Sequence, residues 1–135
     1  MHVADLATNS PVAQAPWVRA VGWLSKGTPM PRGQSMPEFV DRLRLLCASA
    51  SESADALNWP VSAGVHACEF CDAYHSGGNI GVPDGDVLFV APDMITHYVS
   101  EHQYAPPPAF IDAVLRCPAP GTRAYADAVQ GFILE

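Results

Sequence analysis

Residues 87–102 read VLFVAPDMITHYVSEH, an apolar run that changes character at a proline. Val87 to Val90 is short, uninterrupted and rich in β-branched and large side chains, the pattern of a buried strand. Asp84-Gly85 just ahead of it is a turn signal. After Ala91-Pro92, Asp93 stands where it can cap a helix carrying Met94, Ile95, His97, Tyr98 and Val99 to about Glu101. A strand that hands over to a helix in this way points to an α+β domain.

Toward the C-terminus, Ala105-Pro106-Pro107-Pro108 ends that helix, because consecutive prolines supply no amide donors. Phe110, Ile111, Val114 and Leu115 then predict a helix that stops near Pro118. Tyr125, Ala128, Val129 and Phe132 predict another between residues 122 and 132. Toward the N-terminus, Ser35 and Glu38 have the spacing of a capping box, with Pro37 in the first turn. The helix they open buries Phe39, Val40, Leu43, Leu46 and Cys47. Trp17 to Leu24 favours a strand. Val61 to Asp86 is rich in Gly, Asn and Asp and suits short strands or knuckles joined by turns. The expected architecture is a small sheet with three or four helices, a single α+β domain over residues 17–135. Residues 1–16 precede it as an extended or partly disordered segment. Trp17, Trp23 and Trp59 are expected as core anchors.

With 135 residues, 49% of them hydrophobic, the chain has enough apolar area for one packed domain and too little length for two. Seven Lys and Arg stand against 14 Asp and Glu, a net charge of -7, which argues against nucleic acid and for a basic protein as partner. No Lys or Arg occurs between Leu45 and Leu115. No apolar run approaches the roughly 20 residues of a membrane helix, and residues 1–16 lack the parts of a secretory signal. The expected location is the cytoplasm, where paired cysteines read as a metal or redox element and not as a disulfide.

The region without basic residues holds Cys68 and Cys71 and four of the five histidines, His66, His75, His97 and His102. A Cys-x2-Cys turn presents two thiolates to one ion, and His97 and His102 have a spacing by which two imidazoles complete a tetrahedral site. Sulfur with imidazole favours zinc. The candidate set is therefore Cys68, Cys71, His97 and His102. His66 is the competing ligand, since residues 66 and 68 of an extended segment share a face. Residues five apart on an ideal helix differ by about 140° in direction, so His97 and His102 meet only if the helix unwinds before His102. Each histidine also has an ordinary reading, His97 as a hydrogen-bonded core residue and His102 as a helix C-cap. Cys47 and Cys117 read as small buried thiols. Zinc-protease, deaminase, phosphate-loop, dinucleotide and nucleophile-elbow signatures are absent from the sequence.

Asp5-Leu6, Val21-Gly22-Trp23-Leu24, the Gly-x-His-x-Cys-Glu-x-Cys element at 64–71 and the Ala-Pro-x2-Ile-x-His-Tyr-x3-His-x-Tyr-x-Pro-Pro element at 91–107 together resemble a family of small uncharacterised bacterial proteins, of the domain-of-unknown-function kind. The resemblance runs from about residue 5 to 118. It implies that these segments form one site and implies no reaction. The expected function is a small zinc-binding domain with a mainly structural Cys2His2-type site, acting as a binding or accessory module. Two alternatives stand beside it. One is a metal-dependent enzyme in which Glu69 or Glu101 carries a proton for a metal-bound water. The other is an immunity or antitoxin-like protein that binds a basic partner.

Overall fold

The computed structural model describes residues 5–8, 15–24, 30–52, 66–71, 75–76, 79–119, 122–130 and 132. In chain order they form β1 (Val18–Ala20), α1 (Pro37–Glu52), β2 (His66–Ala67), β3 (His75–Ser76), β4 (Asn79–Asp84), β5 (Val87–Pro92), α2 (Ile95–His102), α3 (Pro108–Arg116) and α4 (Arg123–Gln130). The expected α+β class is the class observed, with four helices and a three-stranded sheet among the described residues. The apolar run at 87–92 is the middle strand, flanked by β1 in parallel and β4 in antiparallel. Both its faces are covered, which explains an apolar run where a half-buried strand would alternate. Phe89 and Ala91 face the larger core with Ile80 and Val82 of β4. Leu88 and Val90 face a smaller cluster with Val18, Ala20 and Trp23. The β4–β5 loop is Gly85-Asp86, with Gly85 at φ +62, the position that a two-residue hairpin turn reserves for glycine.

The larger core lies between the sheet and α1 to α3. Phe110 of α3 sits edge-on to both Phe39 of α1 and Phe89 of β5, with ring centroids 6.1 and 5.7 Å away. Phe39, Leu43, Leu46 and Cys47 are buried as the α1 periodicity requires. The helix begins one residue later than a Ser35 cap implies, because the Met36 carbonyl accepts from Val40 at 3.2 Å. A residue before proline is pushed out of the helical region, and proline is preorganised for the first helical position. Met36 therefore takes the cap position and Pro37 the next.

The first strand is shorter than Trp17 to Leu24, for Gly22 at φ +80 turns the chain just past Ala20. Trp23 still docks on the sheet, its indole donating to the Val90 carbonyl at 3.0 Å. Trp17 is half-buried against Phe132, and Trp59 lies outside the described residues. Contacts among the described residues meet both sheet edges, β1 through the backbone and β4 at one carbonyl. The Leu6 amide donates to Ala20 and the Ala20 amide to Ala7, which covers β1. On the other edge the buried Tyr125 hydroxyl donates to the Gly81 carbonyl of β4. No helix among the described residues is long and apolar enough to cross a membrane.

Candidate metal centre

Helix α2 grows directly out of β5 after a two-residue turn. Asp93 is buried in that turn, and the cap position falls to Met94, whose carbonyl accepts from Tyr98 at 3.1 Å. The expected Asp93 cap is thus displaced by one residue. Ile95, Tyr98 and Val99 face the core, which leaves His97 and His102 half-buried at its rim. Thr96 ties the helix to α1 by donating to the Cys47 sulfur at 3.1 Å.

The anticipated unwinding before His102 does not occur: α2 includes His102, and the left-handed residue is Gln103, at φ 55 and ψ 33. The last turn is instead wide. The Tyr98 carbonyl accepts from Gln103, five residues on, and from Tyr104, six residues on, at 3.1 Å. An i+5 closure of this kind is a π-type turn, and with more residues per turn a spacing of five comes nearer to one face. The His97 and His102 Nε2 atoms end 3.2 Å apart.

Cys68 and Cys71 enter from the turn that follows β2. The Cys68 sulfur accepts from the backbone amides of Phe70 and Cys71, donors that favour a thiolate. Cys68 is fully buried and Cys71 exposed. The Phe70 ring packs against His102 at 5.3 Å and edge-on to Tyr98 at 5.8 Å, locking the turn to α2. The Cys68 sulfur lies 3.4 Å from His102 Nε2, and the Cys71 sulfur 3.4 Å from His97 Nε2. All four donor atoms fall within 4.8 Å of one another, so Cys68, Cys71, His97 and His102 form a group that can hold a metal ion.

Hydrogen bonding alone does not account for this geometry. Each Nε2 offers one in-plane position, a proton or a lone pair, yet each has two short neighbours. A cation at a common centre is an arrangement that all four donors could share. Zinc–sulfur bonds of about 2.3 Å and zinc–nitrogen bonds of about 2.05 Å, set at tetrahedral angles, put sulfur and nitrogen about 3.5 Å apart and two nitrogens about 3.3 Å apart. Three of the six edges, at 3.4, 3.4 and 3.2 Å, agree with that figure, and the other three are at most 4.8 Å.

With no cation, burial pushes the Cys68 thiol up from its ordinary range. Burial, and next the charge of His102, hold His97 below the usual imidazole range. Both shifts favour the neutral forms of Cys68 and His97, so a metal ion that takes Cys68 as thiolate displaces its proton.

Of the other candidates, His66 contributes its backbone to β2 and His75 to β3, while their side chains lie outside the described residues, as does His2. Glu69 is half-buried beside Cys68, and Glu101 is exposed on α2. Cys47 and Cys117 are buried away from the four donors, and no cysteine is in a disulfide. Asp5, which the family resemblance groups with this region without giving it a role, proves to be a hydrogen-bonding partner of Tyr104. Its carboxylate accepts from the buried Tyr104 hydroxyl at 2.7 Å and from the Gly22 amide at 3.2 Å. Composition and spacing show only a lone acid in an otherwise uncharged opening and a tyrosine two places beyond His102; the family resemblance adds that their segments belong to one site.

Comparison with known proteins finds a family model, described as Domain of unknown function (DUF7919), that matches residues 1–115. No curated protein and no solved structure matches.

Proposed function

Since the chain belongs to this family of unknown function, matched over residues 1–115, its role is read from its own residues, and we propose that it is a small zinc-binding domain with a structural Cys2His2 site. Cys68, Cys71, His97 and His102 are the proposed ligands. The observation that carries the reading is the gathering of all four donors within 4.8 Å, with three spacings of 3.4, 3.4 and 3.2 Å that suit edges of a zinc tetrahedron. Four protein donors leave no position for a substrate, as in structural sites.

The ion clamps the 66–71 turn to α2. Among the described residues β2 pairs with the two-residue β3, a ribbon too small to be stable alone, and metal binding energy would add to its stability. A domain held in this way serves as a binding or accessory module in the cytoplasm, where its thiols stay reduced, and its net charge of -7 suits a basic protein partner.

Metal analysis of protein expressed without a histidine tag tests the proposal, and about one zinc per chain is expected. X-ray absorption on the same sample should return two sulfur and two nitrogen neighbours. A bound water replacing one side chain would favour metal-water chemistry, with Glu69 or Glu101 as the proton carrier. Protein that takes up no metal, and has the same stability in chelator, would refute the site altogether.

A further inference from the structure

We infer that Asp5 and Tyr104 are positioning residues for the metal centre, acting on His102 through the turn that follows it; this rests on the zinc reading above. Tyr104 is fully buried and lies two residues after His102. Its amide closes the wide last turn of α2 onto the Tyr98 carbonyl, and its hydroxyl donates to Asp5 at 2.7 Å. The second Asp5 oxygen accepts from Gly22 at 3.2 Å. Gly22 in turn is pressed against the start of α2, where a Cβ would stand 2.8 Å from Ile95 Cδ1. One carboxylate thus joins the residue that abuts the beginning of the histidine helix to the residue that closes its end.

Asp5 is itself fixed, because the next two residues pair with Ala20 in β1. Across the turn, Gly33 donates to the Gln103 carbonyl and Ala105 to Pro31, both at 2.9 Å. Gln103 is held between these anchors in a left-handed conformation that a non-glycine residue seldom adopts. Loss of the carboxylate leaves a buried phenol without its acceptor, and the turn shifts to find another. Zinc ligands tolerate displacements of only about 0.2 Å, so a shift at Tyr104 reaches the metal through His102.

Tyr125 supplies the control. It is equally buried and its hydroxyl donates to Gly81, but it joins α4 to β4 and bears on neither end of α2. Zinc affinity of the full chain, measured by competition with a chromophoric chelator, and the absorption bands of the cobalt-substituted protein are the readouts. Tyr104→Phe and Asp5→Ala are each expected to weaken zinc binding about ten-fold and to shift the cobalt bands. The double variant should lose no more than Asp5→Ala alone, which already removes the bond from Tyr104 as well as that from Gly22. Asp5→Asn, which still accepts from Gly22 and bonds the phenol, should retain most of the affinity. Tyr125→Phe should lower stability yet leave affinity within about two-fold.

Wild-type affinity in both Tyr104→Phe and Asp5→Ala, or equal weakening by Tyr125→Phe, would overturn the inference. Asp5 is only half-buried, so its variants keep the test decisive if the Tyr104 change unfolds the chain. A wild-type chain that binds no zinc overturns the metal reading itself, and shows it before any variant is compared.

Discussion

Gln103 occupies a place where chain geometry, and not side-chain chemistry, is the constraint. At φ 55 it carries the strain of a left-handed non-glycine residue, and its side chain is exposed. Gln103→Gly is expected to raise stability by about 1 kcal/mol, measured by urea denaturation of the metal-loaded protein. Cys47 presents a different constraint. Burial raises its thiol to about 12, against the Thr96 hydroxyl, which lowers it. A group whose folded pKa is raised stabilises the fold below its unfolded value of 9.0 and loses that contribution as pH climbs toward 12. Unfolding free energy should therefore fall from about pH 9 upward, by about 4 kcal/mol at the limit. In Cys47→Ala that part of the pH slope should be missing.

Among the elements, α2 decides the site and is itself positioned by contacts at both ends. Gly22→Ala would place a methyl 2.8 Å from Ile95 Cδ1 on a backbone at φ +80, and is expected to cost about 2 kcal/mol, read from the shift of the denaturation midpoint. The β2 turn has the opposite character, with its anchorage concentrated in Cys68, Phe70 and Cys71. In metal-loaded protein, Cys71 should resist iodoacetamide despite its exposure. Chelation should make it the first cysteine alkylated, ahead of Cys47 and Cys117, whose thiols burial raises to about 12 and about 11. Peptide mapping after a timed pulse checks the order.

For the molecule as a whole, the apolar core and the proposed metal site are separable sources of stability. The core between sheet and helices rests on Phe39, Leu43, Phe89 and Phe110, and Leu43→Ala is expected to cost about 2–5 kcal/mol. Removing the metal should lower the melting temperature of wild-type protein while the sheet amides of β4 and β5 keep their exchange protection and those of β2 lose theirs.

Most of the fold is legible in the chain because each element carries its own periodicity: Phe39, Leu43, Leu46 for α1, Phe110, Val114 for α3, and the apolar run for β5. Boundaries are less so. Proline at 37 moves the α1 cap, and Gly22 ends β1 early, since these depend on local backbone geometry more than on hydrophobic pattern. The four metal-binding candidates are legible as well, because soft donors in a Cys-x2-Cys turn and paired histidines are rare without a reason. What the sequence determines alone is therefore chemistry and period, which are properties of residues and near neighbours. Only the tertiary structure decides that α2 keeps its helix through His102 and widens its last turn, and that Asp5 reaches Tyr104. Both are settled by packing between segments far apart in the chain, where no local spacing records which groups will meet.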